Sequence, residues 1–308
     1  MNKPTAVTPA MAGLILERHF KTKPTNLRRI HGGLVNEVFE ARIKREELVL
    51  RISQAPGKLQ VFMKEQWAVA VALKKNIPAP EILEVSSDVT GLSYMISRKV
   101  AGHSAVVLGS KRLEVLRELG EYTSRINKIQ TQDFGHIFDW SSNKLSRQRT
   151  WQAYLDNELK VDERLATFRR SGLLNHDQLK KLQGEIESMR NWSIRPTLSH
   201  GDIRLKNVMV GATGKIIAIL DWENCTSNVA PYWELSLALH DLTMDEKQNF
   251  LDGYGLDLKA YMQIAPAIKA LNILNYARSV RHALKRQDKK RLLGFRARLS
   301  GAFDLYSL

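Results

Sequence analysis

The apolar positions change period once along the chain. Over residues 58–76, Leu59, Phe62, Met63, Val69, Ala70 and Leu73 recur at helical spacings and form one face. The prolines of "NIPAP" end that helix. A shorter helix is expected at 10–20. Between and after these two helices lie short β-like runs, "LRRI" (27–30), "NEVFEARI" (36–43), "ELVLRIS" (47–53), "EILEV" (81–85) and "LSYMISRKV" (92–100), which predict a sheet of about five strands. The charged "KREE" at 44–47 reads as a hairpin loop. From 111 onward the helical period takes over, at 111–130, 144–169, 175–191, 231–253 and, with breaks, 258–305. One β-rich island interrupts it, "NVMVGATGKIIAILDW" at 207–222, two apolar runs joined by a Gly-containing turn. The pattern predicts an α+β protein with a lobe boundary near residue 101, giving lobes 1–100 and 101–308.

With 308 residues, 44% of them hydrophobic, the chain can fill a real core, which excludes a disordered protein. The longest apolar runs, such as "KIIAIL" at 215–220, fall far short of the roughly 20 residues a membrane span needs. The first residues lack the long apolar stretch of a secretory signal, so a cytoplasmic location is expected. A lone cysteine, Cys225, excludes an internal disulfide and a cysteine-rich metal site. The eight histidines show no HxxxH or HExxH spacing, which argues against zinc. The net charge of +15 is unevenly spread. Ten Lys and Arg stand against Asp288 alone between Lys269 and Arg298, whereas eight Asp and Glu stand against Lys247 alone between Asp221 and Asp257.

Chemistry concentrates in "LSHGDIRLKNVMV", 198–210, which holds His200, Asp202, Arg204 and Asn207. If this loop runs into a hairpin, Asn207 begins one strand and Asp221 ends its partner, so the two lie side by side. An amide oxygen and a carboxylate are hard ligands suited to Mg²⁺ held together with phosphates. Asp202, on the loop ahead, can accept a proton from a hydroxyl. Phosphoryl transfer asks for little more than positioning, charge neutralisation and such a base. Taken alone, Asp202 could equally cap backbone amides. "GATGK" at 211–215 is not a P-loop: Ile216 follows where Ser or Thr is required, and a strand follows where a helix is required.

The series His200-Gly201-Asp202, then Asn207, then Asp221 within "ILDWEN" resembles the aminoglycoside phosphotransferase and choline kinase family, a branch of the protein-kinase-like superfamily. Glycine at 201, where protein kinases place arginine, favours the small-molecule branch. The resemblance covers most of the chain and is sharper in the second lobe. It implies a two-lobed kinase-like fold, with a small β-rich N-terminal lobe and a larger helical C-terminal lobe. It also implies a Mg²⁺-requiring enzyme that uses ATP or GTP to phosphorylate a hydroxyl of a small molecule. Asp202 would then accept or orient the hydroxyl proton, His200 would orient the loop, and Asn207 and Asp221 would hold the metal. Arg204 would neutralise the γ phosphate, or else be a solvated arginine. "GGLVNEVFEA" is similar to the family's nucleotide-covering hairpin, which brings in Gly32, Gly33 and Asn36. Arg51 would contact the α and β phosphates, where many members carry lysine, with Glu65 as its acidic partner; an exposed glutamate is the plainer reading of Glu65. Ser97, Arg98 and Lys99 mark the hinge where adenine would meet backbone atoms. Asn127 and Glu234 depart from the histidine and aspartate common in relatives.

The acceptor is less determined. Asp241, Asp245, Glu246, Asp252 and Asp257 could favour a cationic acceptor, an aminoglycoside or another amine-bearing alcohol, or could cap and solvate a helix start. The carboxylates of "LDNELKVDE", 155–163, carry the same two readings. The basic 269–298 stretch could receive an anionic substrate, a membrane surface or nucleic acid. Its only aromatics are Tyr276 and Phe295, too few for a base-stacking platform. A kinase of a sugar or other metabolite, and a catalytically weak nucleotide-binding regulator acting through its basic surface, stand as alternatives. Intact Asp202, Asn207 and Asp221 favour the enzyme. Oligomeric state is left open.

Overall fold

A computed structural model describes residues 7–30, 36–88, 91–136, 138–139, 144–145, 148–240 and 242–305, with backbone alone at 138–139, 144–145 and 302–305. The chain forms two compact units, Met1–Lys111 with Leu205–Cys225, and Arg112–Arg204 with Thr226–Leu308. Among the described residues no helix is long and apolar enough to cross a membrane.

In the first unit, α1 (Pro9–Phe20) starts on Thr8, whose hydroxyl accepts from the Met11 N–H, with proline in its first turn. Strands β1 (Thr25–Ile30), β2 (Glu37–Ile43) and β3 (Glu46–Ser53) follow, then α2 (Lys58–Lys74), β4 (Ile82–Ser87) and β5 (Ser93–Arg98). The five strands form one antiparallel sheet in the order β1-β2-β3-β5-β4. Alternation along β3 decides what each face carries. Leu48, Leu50 and Ile52 join Ala12 and Leu16 of α1 in a buried cluster. Arg51, between Leu50 and Ile52, therefore points to the opposite face, where Phe62 of α2 lies under its guanidinium.

Strand β6 (His103–Ser104) ends the sheet-rich segment; β10 (Val208–Val210) and β11 (Ile216–Ile219) rejoin this unit after a long excursion. β10 pairs with both β11 and β6, and the Ile219 N–H donates to the Pro78 carbonyl at 2.9 Å. These bonds are why residues 205–225 cluster with the first unit, whereas the change of period alone suggested a single boundary near 101. Gly211–Lys215 is a turn, closed by the Gly211 N–H on the Lys215 carbonyl at 2.9 Å.

The second unit contains α3 (Arg112–Ile126), a short ribbon of β7 (Phe138–Asp139) and β8 (Lys144–Leu145), α4 (Trp151–Asn157), α5 (Val161–Ser171), α6 (His176–Arg190) and β9 (Thr197–Ser199). It continues with β12 (Thr226–Asn228), which pairs with β9, then α7 (Tyr232–Ala238), α8 (Met244–Tyr254), α9 (Leu258–Lys285) and α10 (Lys289–Leu305). Helix α9 is the hub: it packs on α5, α6, α7 and α10, and much of its length is buried.

Two expected helices are divided, and a break falls within 258–305 as expected. Lys160, at φ 53°, separates α4 from α5. Thr243 and Glu246 form a capping box that starts α8 afresh after α7. Gln287, at φ 53°, ends α9, and the Asp288 carboxylate accepts from the Arg291 N–H to start α10.

Helices α3 and α8 pack backbone against backbone. A Cβ at Gly253 would overlap the Arg117 carbonyl oxygen, and one at Gly120 would overlap that of Phe250. Gly253→Ala is therefore expected to destabilise the protein by at least about 1–3 kcal/mol. Urea denaturation checks this, and an unchanged midpoint would contradict the close packing.

Candidate active site

The first unit assembles a basic and an acidic cluster on the α2 side of its sheet. An Nη of Arg51 hydrogen-bonds Glu65, which is buried on α2. The other Nη lies 3.8 Å from Asp221, and the Arg51 Nε is buried with no hydrogen-bond partner. Burial raises the Glu65 carboxyl; the Arg51 guanidinium opposes this, while Asp221 and Glu223 reinforce it. Glu65 is thus the partner of Arg51 and not an exposed helix residue. Lys58 donates to Glu223 at 2.7 Å. Burial would raise Glu223, yet Lys58, Arg51 and the Asn36 side chain together hold it below the usual range. Asn36 keeps its Oδ1 buried without a partner.

Asn207 and Asp221 lie at the same end of the β10–β11 hairpin. Val208 pairs with Ile219, and the Leu220 N–H donates to the Asn207 carbonyl at 2.7 Å. Asn207 is buried, while the Asp221 side chain is partly open to solvent. Asp221 adopts φ 64° and ψ 58°, a left-handed conformation that a non-glycine residue holds only where its surroundings impose it. An amide oxygen and a carboxylate beside the half-satisfied Arg51 are a donor set that fits Mg²⁺ carried by a polyphosphate, because Mg²⁺ takes few protein ligands and keeps phosphate and water oxygens. No cluster of three or more His, Cys, Asp or Glu suited to a metal exists among the described residues.

In the second unit, the loop that leaves β9 carries His200, Gly201, Asp202 and Arg204. His200 is fully buried, and its Nδ1 accepts from the Asp202 N–H at 3.2 Å, so the imidazole shapes the loop. Asp202 is buried, and its Oδ1 receives the Arg204 Nε at 2.7 Å. Arg204 is therefore tied to Asp202, a contact neither sequence reading of it included. The loop's backbone is held from below by Glu234 of α7. Its carboxylate accepts from the N–H groups of His200 and Gly201, the latter at 3.2 Å. Asn127 continues the support. Its amide donates to the Leu198 carbonyl at 3.0 Å and its Oδ1 accepts from the Tyr254 hydroxyl at 2.9 Å. The two departures from the family pattern are thus the scaffold of the loop. The signal for Glu234 was a single carboxylate inside the apolar "PYWELSLAL".

Of the other expected residues, Gly32, Gly33 and Asp241 lie outside the described residues. Ser97 is buried in β5; Arg98 pairs with Glu46 and Glu81, and Lys99 with Glu40 and Glu47. The acidic segment is mostly structural. Glu246 closes the capping box and pairs with Arg112, Asp252 accepts from Gln248, and Asp257 caps α9 at the Ala260 N–H. Of the five carboxylates, Glu246, Asp252 and Asp257 thus carry structural contacts.

The profile of the phosphotransferase enzyme family, APH, matches residues 26–267. The fold is similar to that of aminoglycoside phosphotransferase APH(4)-Ia (17% identity, 96% of this chain and 98% of that one, TM-score 0.72). It is also similar to APH(2")-IIIa in complex with GDP and kanamycin (13% identity, 97% of each chain, TM-score 0.65). A third likeness is to a putative fructosamine-3-kinase from Haemophilus somnus 129PT (14% identity, 94% and 96%, TM-score 0.61). These likenesses show a kinase-like α+β fold. No protein of curated function matches the chain by sequence.

Complete burial raises the Glu234 carboxyl to about 7, with Asp202 pushing the same way and the two amides and Asn127 opposing. A carboxyl raised on folding keeps its proton in the native state while the unfolded chain has lost it. Stability should therefore fall as pH rises from about 4.5 to about 7 and then level, by roughly 3 kcal/mol in all. The stability difference between the native protein and Glu234→Gln, measured by urea titration at low and neutral pH, should change by that amount. A pH-independent difference would contradict the assignment.

Proposed function

The chain belongs to the phosphotransferase enzyme family and is a small-molecule kinase, and we propose that it moves the γ-phosphoryl group of a magnesium-bound nucleoside triphosphate onto a hydroxyl of a polyol. The observation that carries this is the hairpin end, where left-handed Asp221 and buried Asn207 stand together and Asp221 lies beside Arg51 with its partnerless Nε. Mg²⁺ bound there would neutralise phosphate charge during transfer. Asn207 and Asp221 would hold it, and Arg51, kept in place by Glu65, would donate to the α and β phosphates. Asp202 would take the proton of the acceptor hydroxyl as its oxygen bonds to the γ phosphorus and the nucleoside diphosphate leaves. Arg204, through its bond to Asp202, would fix the orientation of that carboxylate.

Nucleotide use is supported by neighbours of similar fold. Structures of APH(4)-Ia hold ADP or AMP-PNP together with hygromycin B, and APH(2")-IIIa holds GDP with kanamycin. Both antibiotics are amine-bearing polyols, and an acceptor of that kind, or a sugar, is the reading carried to this chain.

Asp221→Ala should weaken Mg²⁺-dependent nucleotide binding about tenfold or more, the loss of one charge-assisted ligand. Asp202→Asn should bind nucleotide within about twofold of the native protein, since it removes no phosphate or metal contact. Calorimetry with and without Mg²⁺ reads both. An unchanged Mg²⁺ requirement in the Asp221 variant would move the metal elsewhere.

A further inference from the structure

The second unit contains a cavity of about 500 Å³, formed by the α4–α5 turn and α5 on one side and the C-terminal part of α9 with the start of α10 on the other. Its wall carries Lys160, Arg164, Arg278, Arg281, Lys285 and Arg291. Two carboxylates share that wall, Glu158 and Glu163. Glu163 is already divided between Lys160, at 3.6 Å, and Arg281, at 3.3 Å. Glu158 accepts from the His136 N–H at 3.1 Å through Oε1, while its Oε2 is buried with no hydrogen-bond partner. Arg164, Arg278, Lys285 and Arg291 have no carboxylate within 4.0 Å among the described residues.

Two features make this more than a solvated basic face. Arg164 is half-buried and spends its Nη1 on the Leu274 carbonyl at 2.9 Å and the Asn275 Oδ1 at 3.5 Å, neutral acceptors both. Its guanidinium is disfavoured first by burial and also by the charges of Arg281 and Arg278, with Tyr154 and Glu163 acting the other way. The Nε of Arg281 is buried with no acceptor. Gathered like charges and an orphaned donor oppose folding unless something negative completes them. A guanidinium fork matches a carboxylate or a phosphate in two parallel bonds. The volume suits a small molecule, and the wall has no Phe, Tyr or Trp on which a nucleobase could stack.

We propose that this cavity binds a small organic anion bearing phosphate or carboxylate groups, gripped by Arg164, Arg278, Arg281 and Lys285. The site stands on the second unit alone and does not depend on the kinase reading.

The test is calorimetric titration of the full chain, at physiological ionic strength, with pyrophosphate, citrate and glucose 6-phosphate. The double variant Arg278→Gln/Lys285→Gln removes two exposed charges from the wall; Lys180→Gln/Lys259→Gln removes two exposed charges from elsewhere in the same unit. At least one probe should bind the native protein. Its affinity should fall about tenfold or more in the first variant and change less than about twofold in the second. Circular dichroism of both variants checks folding. Absence of binding by all three probes, or equal weakening in both variants, would overturn the proposal. Phosphorus NMR with Mg·ATP then separates two sources of the ligand, since an acceptor is consumed and an effector is returned unchanged; either result keeps an anion in the cavity.

Discussion

A carboxylate with no access to water holds the loop that carries Asp202. The backbone N–H groups of His200 and Gly201 need acceptors, and Glu234 supplies both from the buried face of α7. That arrangement is costly to ionise, which is why Glu234 is raised to about 7, and it persists because several neighbours fix it. Asn127 braces the strand before the loop, Tyr254 braces Asn127, and Tyr254 follows the glycine that lets α8 lie directly on α3. Asp202 thus inherits its position from helix packing two steps away. His200 adds a local tie by accepting from the Asp202 N–H.

The first unit reaches its own arrangement by strand alternation. Leu48, Leu50 and Ile52 commit one face of β3 to the core, so Arg51 must emerge on the other, opposite Phe62 and Glu65 of α2. A slip of one residue would exchange the arginine for leucine and bury the charge. At the hairpin end the same economy applies: β10–β11 pairing puts Asn207 and Asp221 at one edge, and the left-handed turn at Asp221 directs the chain into Trp222–Asn224. Arg51 ends with one Nη on Glu65, another near Asp221 and an Nε without a partner, a geometry that a polyphosphate would complete.

Much of this was legible in the sequence because it is local. The strand alternation, the hairpin at 207–222 and the series His200, Asp202, Asn207 and Asp221 rest on short-range spacing, while the Arg51–Glu65 pair came from the family resemblance. The break at Lys160 was less visible, since that residue type does not advertise its left-handed conformation; breaks in 258–305 were expected, but not their placement at Gln287. The acidic run near 245 admitted two readings because composition cannot tell a capping box from a binding wall; for Glu246 the Thr243 reciprocity and the Arg112 pair supply the capping role. Glu234 was counted as a mild departure since burial against backbone amides leaves no motif. The basic cavity was hidden for the opposite reason, because its walls come from 158–164 and 278–291, segments more than a hundred residues apart.

The central claim is that Asp202 serves transfer of phosphate from a metal-bound nucleotide to a small-molecule hydroxyl. The most direct measurement is release of nucleoside diphosphate from Mg·ATP and Mg·GTP across a panel of aminoglycosides, amino alcohols and sugars, with Asp202→Asn in parallel. The account predicts release that depends on a particular acceptor and disappears in the variant. Acceptor-dependent release that survives undiminished in Asp202→Asn would contradict it.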